Sequence, residues 1–409
     1  MIKFSEQQLN AIDTVHKRIK MGEPVTRLFG YAGTGKTTIA QELARTSSRV
    51  LYAAFTGKAA SVLTRKGCPA STIHSLIYTP TGSYGDKIEK LKKQLEDDPK
   101  NVELAAELKE ARKRAQQPGF KFDPEGSELN EADLLVLDEV SMVDQKIAND
   151  LLSFGVPILA LGDPAQLPPV GSGGYFTKGG EKAADALLTQ VERHTGAVID
   201  LATRIRKTQE RPEVNGSTVV RRIGQQAALG FDQVLVGTNK TRWAKNRTLR
   251  RLLGHGDQLL YPNERIICLG NNKDLGVLNG QQFIVAGIQD GLKENTTEGY
   301  LTCECDDPAE SEQLDYCSVC HWRPRWIPMW DHGFEGIAGE TELKEISYGK
   351  SKTAMHATYG YAITVHKSQG SEWGNVLIID ESPVFRKDGW RWLYTAVTRA
   401  QNNVVVLKG

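Results

Sequence analysis

Eight consecutive residues, Gly30-Tyr31-Ala32-Gly33-Thr34-Gly35-Lys36-Thr37, hold the densest chemistry in this chain. The glycines let the backbone N–H groups of Gly33, Thr34 and Gly35 close around phosphate oxygens. Lys36 would meet the β and γ oxygens of a triphosphate, and Thr37, with Thr38 behind it, offers a hydroxyl for magnesium. A second centre is acidic: the apolar run Leu134 to Leu137 ends in Asp138-Glu139. Asp138 would hold magnesium and Glu139 would orient an attacking water. An acidic pair at a strand end is otherwise a common helix cap, and it is the glycine-rich motif that favours the catalytic reading. A third centre, Gly162 to Val170, follows the run Ile158 to Leu161 and carries Gln166, a neutral amide suited to sensing a γ-phosphate. Its alternative is a proline-stiffened loop without chemistry.

These groups need elements to position them. Apolar residues at Leu9, Ile12, Val15 and Ile19 predict a helix from Glu6 to about Lys20. Thr26 to Phe29 reads as a strand entering the glycine-rich turn, with a helix from about Lys36 to Arg45 leaving it, so that the helix N-terminus faces the phosphates. Val50 to Ala54, Leu134 to Leu137, Ile158 to Leu161, Val234 to Val236, Ile266 to Leu269, Val376 to Ile379 and Val404 to Leu407 continue as strands alternating with helical runs. That pattern predicts an α/β fold with parallel sheets. Two stretches break it. Asp86 to Glu96 and Lys100 to Gln117 predict an inserted helical hairpin, with Asp98 and Pro99 as cap and first helical residue, followed by the short strand Phe120-Lys121-Phe122. Gly287 to Lys350, rich in cysteine, tryptophan and proline, reads as a small β-rich insertion.

The 409 residues are too many for one ordinary core, and 40% hydrophobic with 25% charged residues fits a soluble globular protein. No apolar run approaches the ~20 residues of a membrane span, and Met1 to Glu6 lacks a signal-peptide pattern, so the expectation is a cytoplasmic protein with no membrane partner. A net charge of +1 argues against holding nucleic acid by overall charge. Between Arg193 and Arg251, thirteen Lys or Arg face four acids, a local excess that fits either a nucleic-acid site or a solvated basic face.

Taken in order, these motifs resemble the superfamily 1 helicases, in particular the B-type branch with its RecD-like and Dda-like enzymes. Asp138 to Met142 and Gly162 to Val170 resemble that branch's second and third motifs, His366-Lys367-Ser368-Gln369-Gly370-Ser371-Glu372 its fifth, and Leu393 to Ala400 its sixth. The resemblance implies two RecA-like P-loop lobes: residues 1–79 with 128–190, and 191–286 with 351–409. A hairpin or pin insertion occupies 80–127, and an SH3-like insertion 287–350. It further implies ATP and magnesium as cofactors, Gln8 reading adenine, Gly370 and Glu372 meeting the nucleotide, and Arg193 and Arg399 reaching the γ-phosphate. Phe55, Thr56, Lys58, Thr72 and His74 would contact DNA from the first lobe, and Asn239, Thr364, His366 and Lys367 from the second. Phe55 departs from the family, where proline is frequent. The implied activity is ATP-driven 5′ to 3′ movement of a monomer on single-stranded DNA, with unwinding of forked or tailed duplexes and replication or recombination proteins as partners. An RNA helicase, or a motor subunit of a recombination or nuclease machine, are the alternatives.

In Dda-like relatives the first insertion supplies a wedge, and Phe120 or Phe122 would abut the fork here, unless both pack against the hairpin. Cys303, Cys305, Cys317 and Cys320 form one Cys-x-Cys and one Cys-x-x-Cys pair. The second is a common zinc half-site and the first a less usual partner, so zinc and no metal both stand. Trp322, Trp326 and Trp330, interleaved with prolines, suit a small β-barrel core.

Overall fold

The structure is a computed structural model describing residues 4–45, 48–80, 85–115, 120–168, 174–190, 196–255, 261–271, 277–289, 300–305 and 357–408. In chain order the elements begin with α1 (Glu6–Lys20), β1 (Val25–Gly30), α2 (Lys36–Ala44), β2 (Val50–Ala54), α3 (Gly57–Arg65), β3 (Ala70–Thr72) and α4 (Ile73–Ile77). Next come β4 (Tyr78–Pro80), α5 (Gly85–Asp97), α6 (Val102–Ala115), β5 (Phe120–Phe122), β6 (Leu134–Asp138), α7 (Gln145–Leu152), β7 (Ile158–Gly162) and β8 (Ala186–Leu188). They are followed by α8 (Gly196–Thr208), β9 (Val219–Val220), β10 (Gln233–Val236), α9 (Asn239–Leu252), β11 (Arg265–Cys268), β12 (Gln282–Gln289) and β13 (Tyr300–Cys305). The last are β14 (Ala357–Tyr359), β15 (Ala362–Thr364), α10 (Val365–Ser368), β16 (Trp373–Asp380), α11 (Gly389–Val397) and β17 (Ala400–Lys408). No helix among the described residues is long and apolar enough to cross a membrane.

The chain divides into two compact units, Met1–Tyr78 with Phe122–Thr238 and Ile363–Gly409, and Thr79–Lys121 with Asn239–Ala362. In the first unit a six-stranded sheet runs β3-β2-β6-β7-β1-β8, with every pairing parallel. Parallel strands are covered on both faces, which is why β6 reads as unbroken apolar sequence. Alternation divides its side chains: Leu134 and Val136 pack with Ile39 and Leu43 of α2, while Leu135 and Leu137 pack with Ile73, Ile77 and Ile147 on the other face. On α1, Ile12 and Val15 are buried with Ala11, and Leu9 faces solvent. A five-stranded sheet has the order β15-β10-β16-β17-β9, with its β10–β16, β16–β17 and β17–β9 pairings parallel.

Two readings are corrected in the second unit. β11 does not continue a parallel sheet; it pairs antiparallel with β12 and β14 in a four-stranded sheet of order β13-β12-β11-β14. A short apolar run does not by itself reveal its partner. The α5–α6 hairpin forms around buried Ile88, Leu91, Leu108 and Ala111, but its second helix is capped by Asn101, not by Asp98 and Pro99. Asn101 Oδ1 accepts from the N–H groups of Glu103 and Leu104, both at 3.1 Å, and Asp98 instead accepts from the Asn101 amide. Cys303 and Cys305 lie on β13 opposite Val285 and Phe283, whereas Cys317, Cys320 and the three tryptophans fall outside the described residues, as do the zinc and SH3-like readings. Cys68 and Cys268 are buried, as expected of apolar fillers.

Candidate active site

β1 delivers Gly30 to the edge of the six-stranded sheet where β6 and β7 also end, so the glycine-rich turn, Asp138 and Asp163 share the carboxyl ends of neighbouring strands. Gly33 and Gly35 adopt φ of 78° and 84°, left-handed values that glycine reaches without strain. A Cβ at Gly30 would stand 2.5 Å from Thr34 Oγ1 and 2.8 Å from Leu188 Cβ, so a side chain does not fit there. Gly35 caps α2 without a side-chain bond, leaving the first helical N–H groups open to an anion. Lys36 Nζ donates to the carbonyls of Gly30 and Tyr31 at 2.7 and 3.0 Å, and among the described residues it has no carboxylate partner. Gln8 ties this turn to α1: its Nε2 donates to Thr34 O at 3.3 Å, and its Oε1 accepts from Ser5 N–H in a capping box.

Around the turn lie three acids. Asp138 Oδ1 accepts the Glu139 N–H at 2.8 Å, and Glu139 sits at φ 54°, ψ 42°, a left-handed position uncommon for a non-glycine residue. Burial, then the neighbouring Asp138, pushes the Glu139 carboxyl up to about 7, while Arg399 and Lys36 pull it back. Burial also raises Asp138 and Asp163 above the usual carboxylate range, against the lowering field of Lys36. Asp163 accepts from Tyr394 Oη at 2.7 Å and from Ala165 N–H at 2.9 Å.

Tyr394 belongs to α11, which joins the loop after β7 at several points. Thr395 Oγ1 accepts the Leu167 N–H at 2.9 Å, and Gln369 Nε2 donates to Leu167 O at 3.4 Å. Among the described residues, the Oε1 atoms of Gln166 and Gln369 are buried without a partner. Buried acceptors of that kind call for a donor. Arg399 is 3% exposed; its guanidinium donates to Thr395 O, Ser371 O and Thr398 Oγ1, and its charge acts on Glu139 and Asp163. Open amides, a lysine without a carboxylate partner among the described residues and three acids fit a nucleoside triphosphate with a divalent cation.

A second set of side chains repeats one local device. Thr56 caps α3, Thr72 caps α4 and Thr364 caps α10, each accepting a backbone N–H three residues on. Hydroxyls at helix N-termini leave the remaining N–H groups and the positive helix end available to an anion. Beside them His74 meets the rings of Phe55 and Tyr78 at 5.9 and 5.5 Å. Lys58 is buried with its Nζ 6.0 Å from the Trp373 ring, and Gly370, at φ 81°, lies against Ala59. His366 lies 5.7 Å from the Phe385 ring, and burial lowers both histidines below their ordinary value.

Comparison with known proteins places this arrangement. The AAA-domain family matches residues 3–223, more than half of the chain, and the UvrD-like helicase C-terminal domain matches residues 359–407. This chain belongs to the AAA-domain family. It is 26% identical over 428 residues to the ATP-dependent RecD2 DNA helicase of Deinococcus radiodurans, covering 98% of this chain and 48% of that protein. To the ATP-dependent DNA helicase dda of Enterobacteria phage T4 it is 28% identical over 219 residues, 50% of this chain and 42% of that one. The chain therefore spans about half the length of these curated relatives. It shares the fold of a Pif1 helicase solved in a study of unwinding at forked duplex DNA, with a TM-score of 0.58 at 19% identity over 99% of this chain and 92% of that one.

The structure brings Lys36, Asp138, Glu139 and Arg399 together by mutual charge, and Gln166 precedes Leu167 in the loop after β7 that bonds to Thr395. Thr37 and Thr38 follow Lys36 in the first turn of α2. Gln8 is engaged within the chain through both amide atoms, and exposed Glu372 accepts from Gln401 at 3.2 Å. Arg193 lies outside the described residues, and exposed Asn239 opens α9 in the second unit. The basic excess is partly consumed: Arg206, Arg211 and Arg250 pair with Glu181, Asp380 and Glu264. Phe122 is half-buried against Tyr78 and Phe154, while Phe120 is 47% exposed. Sequence reasoning missed Tyr394, Thr395 and Gln369, which sit inside quoted motifs but whose contacts are separated by about two hundred residues in sequence. It also missed Tyr31, whose ring lies 3.7 Å below the Arg206 guanidinium and whose hydroxyl donates to Glu181 at 2.8 Å.

Proposed function

We propose that this chain is an ATP-driven motor that travels 5′ to 3′ along single-stranded DNA and separates duplexes ahead of it. The observation that carries the reading is the group Tyr394, Thr395 and Arg399, which links α11 to the acids and to the Gln166 loop. Gln369, bonded to Leu167 of the same loop, directly follows α10, which Thr364 caps and which carries His366, so a change at the γ-phosphate would be felt there too. Lys36 and the open N–H groups of α2 would bind the triphosphate, and Thr37 with Asp138 would hold magnesium, which supplies charge neutralisation at the transferring phosphate. Glu139 would take up the proton of the attacking water, Gln166 would orient that water, and Arg399 would neutralise charge on the phosphoryl oxygens. The Thr56, Thr72 and Thr364 hydroxyls would bind the strand's phosphates, and Phe55 or His74 would stack on bases without reading sequence. Exposed Phe120 is the better candidate for the wedge, because Phe122 is packed against the first unit's core. The 5′ to 3′ direction rests on the resemblance of the motifs to the B-type branch.

The test is unwinding of two duplexes that differ only in carrying a 5′ or a 3′ single-stranded tail, with ATP and magnesium. Product from the 5′-tailed substrate alone, abolished in Lys36→Ala, is expected. Unwinding of the 3′-tailed substrate overturns the direction. ATP turnover stimulated by RNA but not by DNA substitutes the RNA-helicase reading, and stimulation by DNA without unwinding supports a motor subunit.

A further inference from the structure

Between β16 and α11 the chain makes a tight excursion, Ser382-Pro383-Val384-Phe385-Arg386-Lys387-Asp388, that no motif covers. Its position is fixed from three sides. Glu381 accepts from the N–H groups of Gly237 and Thr238 at 2.6 and 3.1 Å and from the Thr238 hydroxyl at 3.1 Å, so the excursion is bound to the turn that leaves β10. A Cβ at Gly237 would stand 2.9 Å from Phe385 Cε2, so the Phe385 ring closes on that turn. The same ring stacks on Trp392 with centroids 5.5 Å apart and reaches His366 at 5.7 Å. The tip of the excursion is thereby held beside α10, which carries Thr364, His366 and Lys367.

Its charges are unbalanced. Each nearby acid is already engaged: Glu381 by Gly237 and Thr238, Asp380 by Arg211 and Ser382, and Asp388 by Arg391. Arg386 and Lys387 are exposed, and neither has an ion-pair partner among the described residues. The Arg386 backbone adopts φ 50°, ψ −119°, a region an arginine enters only under constraint from its surroundings. A strained backbone that presents two exposed cations without ion-pair partners among the described residues, next to a phenylalanine whose ring reaches His366, suits a polyanion better than an apolar protein surface.

We infer that Arg386 and Lys387 form an additional phosphate-binding subsite for single-stranded DNA, placed beside His366 by the Phe385 ring. The inference rests on the proposed function, since it extends the strand path of the same motor. Each single-strand phosphate neutralised by a cation contributes about 0.7 to the slope of log affinity against log salt, so two contacts contribute about 1.4.

The test measures binding of a fluorescent oligothymidylate by the full chain across a salt series, with melting temperature as the fold control. Arg386→Ala/Lys387→Ala is expected to weaken binding about tenfold at low salt and to lower the slope by about 1.4. Lys17→Ala/Lys20→Ala on α1 removes the same charge elsewhere and should leave the slope unaltered. Arg386→Gly, which relieves the left-handed strain, should raise the melting temperature while weakening binding. Wild-type affinity and slope in the double variant, with the wild type binding normally, overturns the subsite alone. Absence of oligothymidylate binding by the wild type overturns the motor reading and the subsite with it.

Discussion

Replacing Arg399 separates a catalytic role from a structural one. Its guanidinium is 3% exposed and donates at 3.1, 3.3 and 3.2 Å to Thr395 O, Ser371 O and Thr398 Oγ1. None of those acceptors is a carboxylate, so its charge is left to act on the nearby acids, where it lowers the Glu139 and Asp163 carboxyls. An arginine in that position stabilises transferring phosphoryl oxygens by about 10³ to 10⁵ in rate, or about 4 to 7 kcal/mol at 1.36 kcal/mol per decade. Losing its bonds to two carbonyls and a hydroxyl acts on stability and not on rate, at about 1 to 3 kcal/mol for each buried acceptor left unsatisfied, and Thr395 O keeps its bond from the Thr398 hydroxyl. Arg399→Ala should therefore fold, with a lowered melting temperature, and its kcat should fall by at least about 10³ while KM for ATP changes by less than about tenfold. Arg399→Lys should recover little, because one ammonium does not span three acceptors. Steady-state ATP turnover at saturating oligonucleotide measures both parameters. A kcat within about tenfold of wild type in Arg399→Ala would refute the reasoning, since the arginine would then serve only the local fold.

Three other outcomes follow from the geometry. Phe122→Ala should cost about 2 to 3 kcal/mol in chemical denaturation, somewhat below a fully buried phenylalanine, whereas Phe120→Ala should leave stability nearly unchanged yet reduce unwinding relative to strand-stimulated ATP turnover. Equal unwinding by Phe120→Ala and wild type removes it as the wedge. Gly30→Ala should abolish nucleotide binding in a fluorescent-nucleotide titration, because its Cβ would meet Thr34 Oγ1 at 2.5 Å; wild-type affinity would contradict the geometry of the turn. His74 is held below its ordinary value by burial, so the unfolded chain takes up its proton first as pH falls below about 6.5. Its contribution is thus a loss of stability on acidification, opposite in sign to that of the raised acids Asp138, Glu139 and Asp163. On going from pH 7.5 to 5.5 the urea midpoint should lose less, or gain more, in His74→Gln than in wild type, and an unchanged shift or a greater loss contradicts that sign.

The parallel core was legible because each strand that carries chemistry is also a continuous apolar run ending in its functional residue: Thr26 to Phe29 before Gly30, Leu134 to Leu137 before Asp138, and Ile158 to Leu161 before Gly162. Burial on both faces writes that pattern directly into the sequence. β11 was misassigned because four apolar residues specify a strand and not its neighbours. The α6 cap was misjudged because Asp98 and Asn101 both offer suitable oxygens, and only the geometry of the turn selects Asn101. At the site, residues acting through local motifs could be named from sequence alone. Those acting across it, Tyr394 on Asp163 and Gln369 on Leu167, depend on a fold-level approach that spacing does not encode. Arg386 escaped notice for another reason: its strain lies in φ and ψ, which leave no compositional trace.

The central claim is that occupancy of the nucleotide site alters the grip on a single strand. It is tested most directly by the Kd of the full chain for an oligothymidylate, measured without nucleotide, with a non-hydrolysable ATP analogue and with ADP. The account predicts that at least one pair of states differs by about fivefold or more, and that Tyr394→Phe, which cuts the Asp163 link, narrows the difference. Identical Kd values in all three states, with each nucleotide shown to be bound, would contradict it.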